Sequence, residues 1–266
     1  MACPPEATRG LAGLRAGHGV DRSSVPSGTL RLPYAFSPIQ HEGSMTDPAE
    51  VQQEYERRFS ERAEYRDQVW RILTREFFQK EIPVGSTVLD VGCGWGEFIN
   101  NIEAATKIAI DLNPDAADRV SADVSLLSQN CADPWGVEPS SIDVVFSSNF
   151  FEHLLSVGDL KKTLTSAFEA LRPGGKLIAL GPNIKFTHGA YWDFIDHHIP
   201  LTEASLSELL ELVGFRVERA VPRFLPYTMS SGRQYPAAFL RLYLRLPFLW
   251  RFVGAQFLVV AHKPAI

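Results

Sequence analysis

Apolar residues recur along the chain in short runs, and longer segments with helical spacing separate several of these runs. The runs occupy positions 87–91, 107–110, 124–127, 142–146, 176–180, 215–221 and 256–261. Short, mainly apolar runs of this kind are typical of strands that are buried on both faces. Because such strands alternate here with helices, the pattern predicts a parallel sheet that is covered by helices on both sides.

Helical spacing is clear in three segments. Residues 47–81 alternate charged and apolar side chains at helical intervals and predict one or two helices ahead of the sheet. An amphipathic helix is predicted over 159–172. A further helix is predicted over 202–213, with a capping box formed by Ser205 and Glu208 in its first turn.

The composition is that of a globular protein. Of the 266 residues, 45% are hydrophobic and 21% are charged, and the formal net charge is -5. A net negative charge gives no general attraction to polyanions, so we predict no nucleic-acid partner. The three cysteines are too few and too scattered for a disulfide framework, which favours a cytoplasmic location. No apolar run is long enough to span a bilayer.

The chain divides into three parts by composition. Residues 1–45 are rich in Pro, Gly, Ser and Arg without any period, so we predict a disordered leader, with Met45 as the candidate start of the protein. Residues 46–85 are predicted to be an N-terminal helical segment. Residues 86–266 form the main predicted domain, which carries a basic, aromatic insert over 228–254.

A glycine-rich turn follows the first predicted strand. The sequence Val88-Leu89-Asp90-Val91-Gly92-Cys93-Gly94-Trp95-Gly96 lets the backbone approach a ligand closely, and a helix is expected to begin near Glu97. A dinucleotide-binding turn has the spacing GxGxxG, whereas the spacing here is GxGxG. A carboxylate at Glu97 also disfavours a pyrophosphate at this position, while a cationic ligand tolerates it.

These residues and two later segments resemble the class I S-adenosylmethionine (SAM) dependent methyltransferases, in a methyltransferase type 11-like form. The later segments are residues 142–154, which end in Glu-His-Leu, and residues 171–177, which contain Pro-Gly-Gly. The resemblance covers most of residues 87–264. It implies SAM as the cofactor and a Rossmann-like α/β fold. That fold has a doubly wound, mostly parallel seven-stranded sheet with helices on both faces and an antiparallel last strand.

The resemblance also implies roles for individual residues in binding SAM. The acid at Asp90 lies near the amino acid end of SAM. Asp111 ends the second strand, where the family places its ribose ligand, although an Asp there also caps turns. The adenine site falls near Asn130 and Cys131, with Asp123 as a competing candidate. The predicted cofactor-binding residues are Asp90, Gly92, Cys93, Gly94, Gly96, Asp111, Leu112, Asn130, Cys131 and Asn149.

Two segments at the carboxyl edge of the predicted sheet are candidates for binding the methyl acceptor. Asn149 follows the fourth strand, and His153 after it is a candidate base or a structural histidine packed beneath the site. Residues 183–200 follow the fifth strand and contain further histidines among aromatic and acidic side chains. The predicted catalytic residues are His188, His197 and His153.

Three interpretations of residues 183–200 remain open. In the first, the segment forms an acceptor pocket in which Asp193 or Asp196 orients a histidine base. In the second, Asp196, His197 and His198 bind a metal ion, although neighbouring histidine side chains diverge. In the third, the segment is a surface loop whose aromatic side chains enter the core. We favour the first interpretation and predict no metal site.

The insert contains a second unusual stretch, residues 233–252, which combines aromatic and leucine side chains with Arg241, Arg245 and Arg251. It is too polar and interrupted to span a membrane. It is interpreted as a helix packed on the domain with its arginines outward, as a lid over an apolar substrate, or as a peripheral contact with a membrane surface.

The sequence therefore predicts an enzyme that transfers a methyl group from SAM to a small-molecule, saccharide or lipid-linked acceptor. One alternative is a non-catalytic SAM-binding protein that acts by interaction. The other is a nicotinamide-dependent oxidoreductase, which Glu97 and the Glu-His-Leu and Pro-Gly-Gly segments disfavour.

Overall fold

The structure is a computed structural model that describes residues 63–227 and 234–265. All of the described residues belong to one compact unit, Gln52–Ile266. The predicted leader and the first part of the predicted N-terminal helical segment, together residues 1–62, lie outside the described residues.

Strands and helices alternate over the described residues. The strands are β1 (Thr87–Val91), β2 (Thr106–Asp111), β3 (Val124–Ser128), β4 (Ile142–Ser148), β5 (Leu171–Pro182), β6 (Arg216–Leu225) and β7 (Gln256–His262). The α-helices are α1 (Ala63–Glu76), α2 (Ala116–Arg119), α3 (Val157–Ala170), α4 (Ile184–Thr187), α5 (Glu203–Val213), α6 (Ala237–Arg245) and α7 (Pro247–Val253). Short 3-10 helices occupy Phe78–Lys80, Phe151–His153 and His188–Asp193. All seven predicted strands are present, although β5 and β6 extend beyond their predicted bounds.

The strands form one sheet in the order β3-β2-β1-β4-β5-β7-β6. The pairs β1 with β2, β1 with β4, β2 with β3, and β4 with β5 are parallel, whereas β7 is antiparallel to both β5 and β6. The predicted doubly wound sheet with an antiparallel last strand is therefore confirmed. The strand order reverses at β1, and ligands bind at such a reversal, outside the carboxyl ends of the strands.

The apolar runs bury side chains on both faces of the sheet. Successive side chains of a strand point to opposite faces. Accordingly, Leu89 and Val145 join a core that contains α3 and α5, whereas Val88 and Val144 join a second core that contains α1 and the two insert helices. All four side chains are buried, which explains why these strands lack the alternation of polar and apolar residues seen in half-exposed strands.

The start of α5 corrects one detail of the sequence analysis. The capping box is formed by Thr202 and Ser205, not by Ser205 and Glu208. Thr202 has an extended backbone and stands just before the first helical residue, so its side chain accepts the hydrogen bond from the backbone N–H of Ser205. The predicted end of this helix before Gly214 is confirmed, since Gly214 adopts a left-handed conformation with φ of 117°.

Helix α3 ends at Ala170, two residues before its predicted end. Arg172 precedes a proline, and the ring of Pro173 disfavours a helical conformation at the residue before it. The chain enters β5 from there, and Gly174 supplies a positive φ of 79°.

The segment after the glycine-rich turn also differs from the prediction, because residues 97–101 form consecutive turns rather than a regular helix. Asn101 donates a side-chain hydrogen bond to the carbonyl of Glu97 (2.8 Å), and Asn100 bonds through its side chain to Arg119 and Ser121. Asparagine side chains that bond to the backbone compete with helical hydrogen bonds.

The described part of the insert folds back on the domain as α6 and α7. Tyr243 is buried and donates a hydrogen bond to the carbonyl of Phe224 (2.7 Å). The indole N–H of Trp250 donates to the carbonyl of Tyr243 (3.0 Å). These contacts support the packed-helix interpretation for residues 234–252, while residues 228–233 lie outside the described residues. Within the described ranges, no helix has both the length and the apolar character needed to cross a bilayer.

Candidate functional site

A cavity of about 290 Å³ opens at the carboxyl ends of β1, β2 and β4, where the strand order reverses. It is lined by Arg66, Trp70, Asp90, Gly92, Cys93, Gly94, Glu97, Phe98, Asp111, Asn113, Phe146, Ser148, Asn149, Phe150, Glu152, His153, Phe194, Asp196, His197 and Tyr227. The structure thus brings Asp90, Gly92, Cys93, Gly94, Asp111 and Asn149 of the predicted cofactor site to one place. We refer to it as the main cavity.

The glycine-rich turn requires glycine for two separate reasons. Gly92, Gly94 and Gly96 have φ of 71°, 52° and 75°, a conformation that side chains disfavour. In addition, a Cβ at Gly92 would lie 2.1 Å from the ring of Phe150. The Phe150 ring therefore packs directly on the turn, and this contact shapes the floor of the main cavity. Gly96 itself does not line the cavity.

Asp111 holds the turn and borders the cavity at the same time. Its Oδ2 accepts a hydrogen bond from the backbone N–H of Gly94 (2.7 Å), and its Oδ1 accepts one from the backbone N–H of Asn113 (2.8 Å). The turn-capping role considered for this residue is thus real. It does not compete with ligand binding, because each carboxylate oxygen can accept more than one hydrogen bond.

The main cavity carries an excess of buried acid around the turn. Asp90 is only 3% exposed. Burial, together with the negative charges of Asp111 and Glu97, raises the pKa of Asp90 well above its ordinary value. Burial also raises the pKa of Glu97, although Arg66 forms an ion pair with it and opposes this shift. A cationic ligand would relieve this unfavourable burial of carboxylates, so the residues fit the sulfonium and ammonium groups of SAM.

Three further predicted cofactor-binding residues do not line the main cavity, namely Leu112 and the two assigned to the adenine site, Asn130 and Cys131. Leu112 is exposed, and Asn130 caps a turn by accepting a hydrogen bond from the backbone N–H of Ala132. The thiol of Cys131 is buried beside the hydroxyl of Thr163 (3.4 Å). Roles for these side chains in cofactor binding stay predictions.

The competing adenine candidate, Asp123, is also absent from the lining. Its exposed carboxylate forms an ion pair with Lys107 (3.0 Å). Cys93 and Cys131 are buried free thiols, whereas Cys3 lies outside the described residues. The cytoplasmic location inferred from cysteine usage stays a prediction.

The acceptor end of the main cavity begins where β4 ends. Asn149 has φ of 49°, a left-handed conformation that is uncommon outside glycine, and its backbone N–H donates to the carbonyl of Leu180 (2.8 Å). This turn directs the chain into the 3-10 helix Phe151–His153, so that Glu152 and His153 also border the cavity.

The fold brings two of the three candidate catalytic histidines together and leaves the third outside the main cavity. His153 and His197 both line the main cavity, and their ring centroids are 4.9 Å apart. His188 is exposed and does not line it. Asp196 faces His153 rather than His188, with 3.2 Å between Asp196 Oδ2 and His153 Nδ1. Asp196 was expected to orient a histidine of residues 183–200. It contacts His153, which belongs to the segment after β4.

The structure does not bring together the three residues considered for a metal site, Asp196, His197 and His198. The side chain of His198 is exposed and does not line the main cavity, although its backbone N–H donates to the carbonyl of Glu152 (2.8 Å). Adjacent residues in an extended loop point their side chains in different directions, which is why only His197 turns inward.

Sequence reasoning missed several residues that line the main cavity. Arg66 and Trp70 belong to α1, Tyr227 follows β6, and Glu152 was considered only as part of a motif. The first three lie far along the chain from the glycine-rich turn, and their spacing relative to it carries no signal. Glu152 had one available signal, namely its position beside His153 at the end of a strand.

A second cavity of about 130 Å³ adjoins the first and shares Arg66, Trp70 and Asn149 with it. Its other lining residues are mostly apolar or aromatic and come from α1, α6 and the neighbouring strands. They are Tyr65, Val69, Leu73, Leu180, Leu225, Pro226, Tyr235, Phe239, Leu240, Tyr243 and Gln256. Gln256 contributes a buried Oε1 with no hydrogen-bond partner among the described residues.

Comparison with known proteins gives two kinds of likeness. A family model described as a methyltransferase domain matches residues 62–220. A Mycolicibacterium smegmatis protein named as a probable S-adenosylmethionine-dependent methyltransferase is 34% identical over 141 residues, which are 50% of this chain and 53% of that protein. The chain thus spans about half the length of this curated relative.

Solved structures share the fold at low sequence identity. A SAM dependent methyltransferase from Archaeoglobus fulgidus is 19% identical with a TM-score of 0.55, over 82% of this chain and 100% of that chain. The cyclase SpnF is 18% identical with a TM-score of 0.52, over 75% of this chain and 81% of that chain. A fold that is shared with a cyclase does not by itself fix the reaction.

The family model carries more weight than these structural likenesses, since it matches more than half of the chain. It also spans the glycine-rich turn, Asp111 and the Glu-His-Leu segment, which the fold places around one acidic cavity. The protein therefore belongs to the methyltransferase domain family of the class I SAM-dependent methyltransferases, and its cofactor is S-adenosylmethionine.

Proposed function

We propose that this protein transfers a methyl group from SAM to a small-molecule or lipid-linked acceptor whose apolar part occupies the second cavity. The observation that carries this proposal is the shared wall of the two cavities, formed by Arg66, Trp70 and Asn149. An acceptor that is held in the second cavity can extend its reacting atom past Asn149 into the main cavity.

The residues around the glycine-rich turn would hold the cofactor. When bound, SAM supplies an electrophilic methyl group on a positively charged sulfur. The backbone at Gly92 and Gly94 would leave room for the cofactor, and Asp111, which borders the cavity, would accept hydrogen bonds from the ribose hydroxyls. Asp90 and Glu97 supply negative charge that complements a cationic ligand.

The opposite side of the main cavity would hold the reacting atom of the acceptor. Asn149, His153 and His197 lie there, and a histidine nitrogen can either accept a proton or fix the direction of an acceptor hydroxyl. Phe150 and Trp70 border the same space with apolar surface. Much of the rate enhancement in such a site comes from aligning the two reactants and excluding water.

The lining of the second cavity supports an acceptor with apolar character over a free saccharide. Phe239, Leu240 and Tyr243 of α6 face Val69 and Leu73 of α1 across it. Sugar rings are bound through many hydrogen bonds, and two hydroxyls of this cavity are already engaged. Tyr243 donates to the carbonyl of Phe224 (2.7 Å), and Tyr65 accepts from the backbone N–H of Tyr235 (2.8 Å). Helix α6, which is packed on the domain, also forms one wall of this cavity, so the packed-helix and lid interpretations of the insert are compatible.

The alternative of a non-catalytic SAM-binding protein makes a different prediction. It requires tight SAM binding with no acceptor, whereas methyl transfer requires release of S-adenosylhomocysteine. Screening this release over phenols, sugars and lipid extracts tests the proposal directly. Turnover confined to sugars, or absent from every class despite SAM binding measured by calorimetry, would contradict it. Calorimetry with NAD tests the oxidoreductase alternative in the same way.

A pair of variants in α6 locates the acceptor. Leu240→Trp fills the second cavity, so we expect a raised KM for the acceptor with an unchanged affinity for SAM. Leu242→Trp is the matched control, since Leu242 lies on the same helix but is 55% exposed and does not line the cavity. Equal KM values for the acceptor in the two variants would show that the acceptor does not bind in the second cavity.

A further inference from the structure

Three side chains that are able to bind a metal ion meet at the acceptor end of the main cavity. Glu152 and His153 come from the 3-10 helix after β4, and His197 comes from the loop after β5. One ligand atom from each residue lies within 4.8 Å of the other two. Ligand atoms around one tetrahedral ion are about 3.3 Å apart, so small side-chain rotations would bring all three into contact with a single ion.

The two segments that supply these side chains are fixed to each other. The backbone N–H groups of His198 and Ile199 both donate to the carbonyl of Glu152, at 2.8 and 3.1 Å. His197 therefore sits on a loop that is anchored beside Glu152, and it is only 7% exposed. A preformed arrangement of this kind reduces the cost of ordering the ligands when an ion binds.

His153 also has the outer partner that metal-binding histidines usually have. Its Nδ1 lies 3.2 Å from Asp196 Oδ2 and 3.1 Å from the Asp196 carbonyl. A carboxylate or carbonyl that receives one ring N–H fixes the ring and directs the other nitrogen at the metal. Because Nδ1 is engaged in this way, Nε2 is the nitrogen with which His153 would bind an ion.

Glu152 is a buried acid with one carboxylate oxygen that receives no hydrogen bond from the described residues. Its side chain is 2% exposed, and Oε2 has no hydrogen-bond partner among the described residues. Arg66 is the only Lys or Arg among the described residues that line the cavity, and it forms an ion pair with Glu97. A cation beside Glu152 would offset the cost of burying this carboxylate.

We infer that Glu152, His153 and His197 form a binding site for one divalent transition-metal ion at the acceptor end of the main cavity. Two imidazoles and one carboxylate suit zinc, iron, cobalt or manganese, whereas magnesium and calcium prefer oxygen ligands. Three protein ligands leave further coordination positions open towards the cavity. An oxygen atom of the acceptor can take one of them and would then be held by the ion in place of direct contact with a histidine nitrogen, a point that rests on the methyl transfer proposed above.

This inference revises the expectation from sequence that the chain forms no metal site. It also replaces the set of residues considered there. Of Asp196, His197 and His198, only His197 stays a ligand, Asp196 becomes a positioning residue, and His198 is not involved.

Metal binding is testable without SAM or acceptor. The full-length chain, freed of any histidine tag and treated with chelator, is titrated with Co²⁺, and the visible absorption bands of bound cobalt are recorded. We expect one ion per chain. Glu152→Gln and His197→Gln should each weaken Co²⁺ binding by at least about tenfold, and Asp196→Asn by about tenfold through loss of ring orientation. Zn²⁺ should displace the cobalt, and equimolar Mg²⁺ should not.

His198→Gln is the matched control, because His198 is the exposed neighbour of His197 and should leave the titration unchanged. Circular dichroism identifies any variant that has lost its fold. If one of the two ligand variants is unfolded, the Co²⁺ titration of the other one tests the inference. Absence of cobalt bands in the native chain, or bands retained in folded Glu152→Gln and His197→Gln, would overturn the inference. Displacement by Mg²⁺ would overturn the assignment to transition metals. None of these results bears on methyl transfer, which is measured separately by S-adenosylhomocysteine release.

Discussion

Asp111 at the end of β2 accepts a hydrogen bond from the backbone N–H of Gly94 (2.7 Å). This bond connects the glycine-rich turn after β1 to the acid predicted to bind the ribose of the cofactor. The acid that borders the cavity is therefore also the residue that holds the glycine-rich turn in place. One substitution at this position should disturb both the turn and the contact with the cofactor.

Replacing Asp111 by alanine should weaken SAM binding by about 10- to 100-fold, since hydrogen bonds to a charged group contribute about 1.5 to 3 kcal/mol. Isothermal titration calorimetry measures the change. Asp118→Ala is the control, because Asp118 is an exposed acid of α2 that does not line the cavity. Equal affinities of the two variants for SAM would argue against Asp111 as a cofactor ligand.

Gly92→Ala should abolish SAM binding and lower the free energy of unfolding by about 1 to 3 kcal/mol. The added Cβ meets the Phe150 ring at 2.1 Å, and φ of 71° strains any side chain at this position. Gly136→Ala provides a comparison, since a Cβ there meets nothing within 4 Å. Chemical denaturation and calorimetry measure both effects. A Gly92→Ala protein with native SAM affinity would show that the turn tolerates a side chain.

Acid should remove the contribution of Glu81 to stability. Burial tends to raise the pKa of this carboxyl, but the hydrogen bond to Arg219 and the charges of Arg219 and Lys176 outweigh burial and lower the pKa below 4.5. A lowered pKa in the folded state means that the ionised form stabilises the fold. This stabilisation is present above pH 4.5 and is lost as the pH falls through the folded-state pKa.

Glu81→Gln should therefore reduce the free energy of unfolding at pH 7 by at most about 1 kcal/mol, because solvent screens this partly exposed cluster. The difference from the native chain should shrink as the pH falls below 4.5. Denaturant titrations at several pH values measure it, with the exposed Glu138→Gln as control. A difference that is the same at every pH would contradict the role of these ion pairs.

Phe248 and Phe252 of α7 are 57% and 62% exposed. They are the side chains that would carry the membrane contact considered as one alternative for residues 233–252. The double variant Phe248→Ser/Phe252→Ser should lose cosedimentation with anionic vesicles while it keeps its fold, because neither side chain is buried. Trp250, which is buried, must stay unchanged for the comparison to hold. If the native protein does not cosediment with these vesicles, the membrane interpretation of residues 233–252 is wrong.

The sequence by itself determined the strands, their order along the chain and the cofactor turn. A strand that is buried on both faces needs a run of apolar residues, such as 142–146. A turn with positive φ needs glycine, as at positions 92, 94 and 96. Both constraints act on neighbouring residues and therefore leave a pattern in the sequence. The predicted positions of Asp90 and Asp111 at strand ends follow from the same reasoning, and both residues line the cavity.

Only the tertiary structure decided which side chains meet at the acceptor end. His153 and His197 are separated by more than forty positions, yet their rings are 4.9 Å apart, while His188, nearer to His197 in the chain, is exposed outside the cavity. The second cavity likewise depends on α1 packing against α6. Spacing within one segment predicts the direction of a side chain relative to its own helix or strand. Contacts between segments depend on how these elements pack, and a single sequence does not encode that packing as a local pattern.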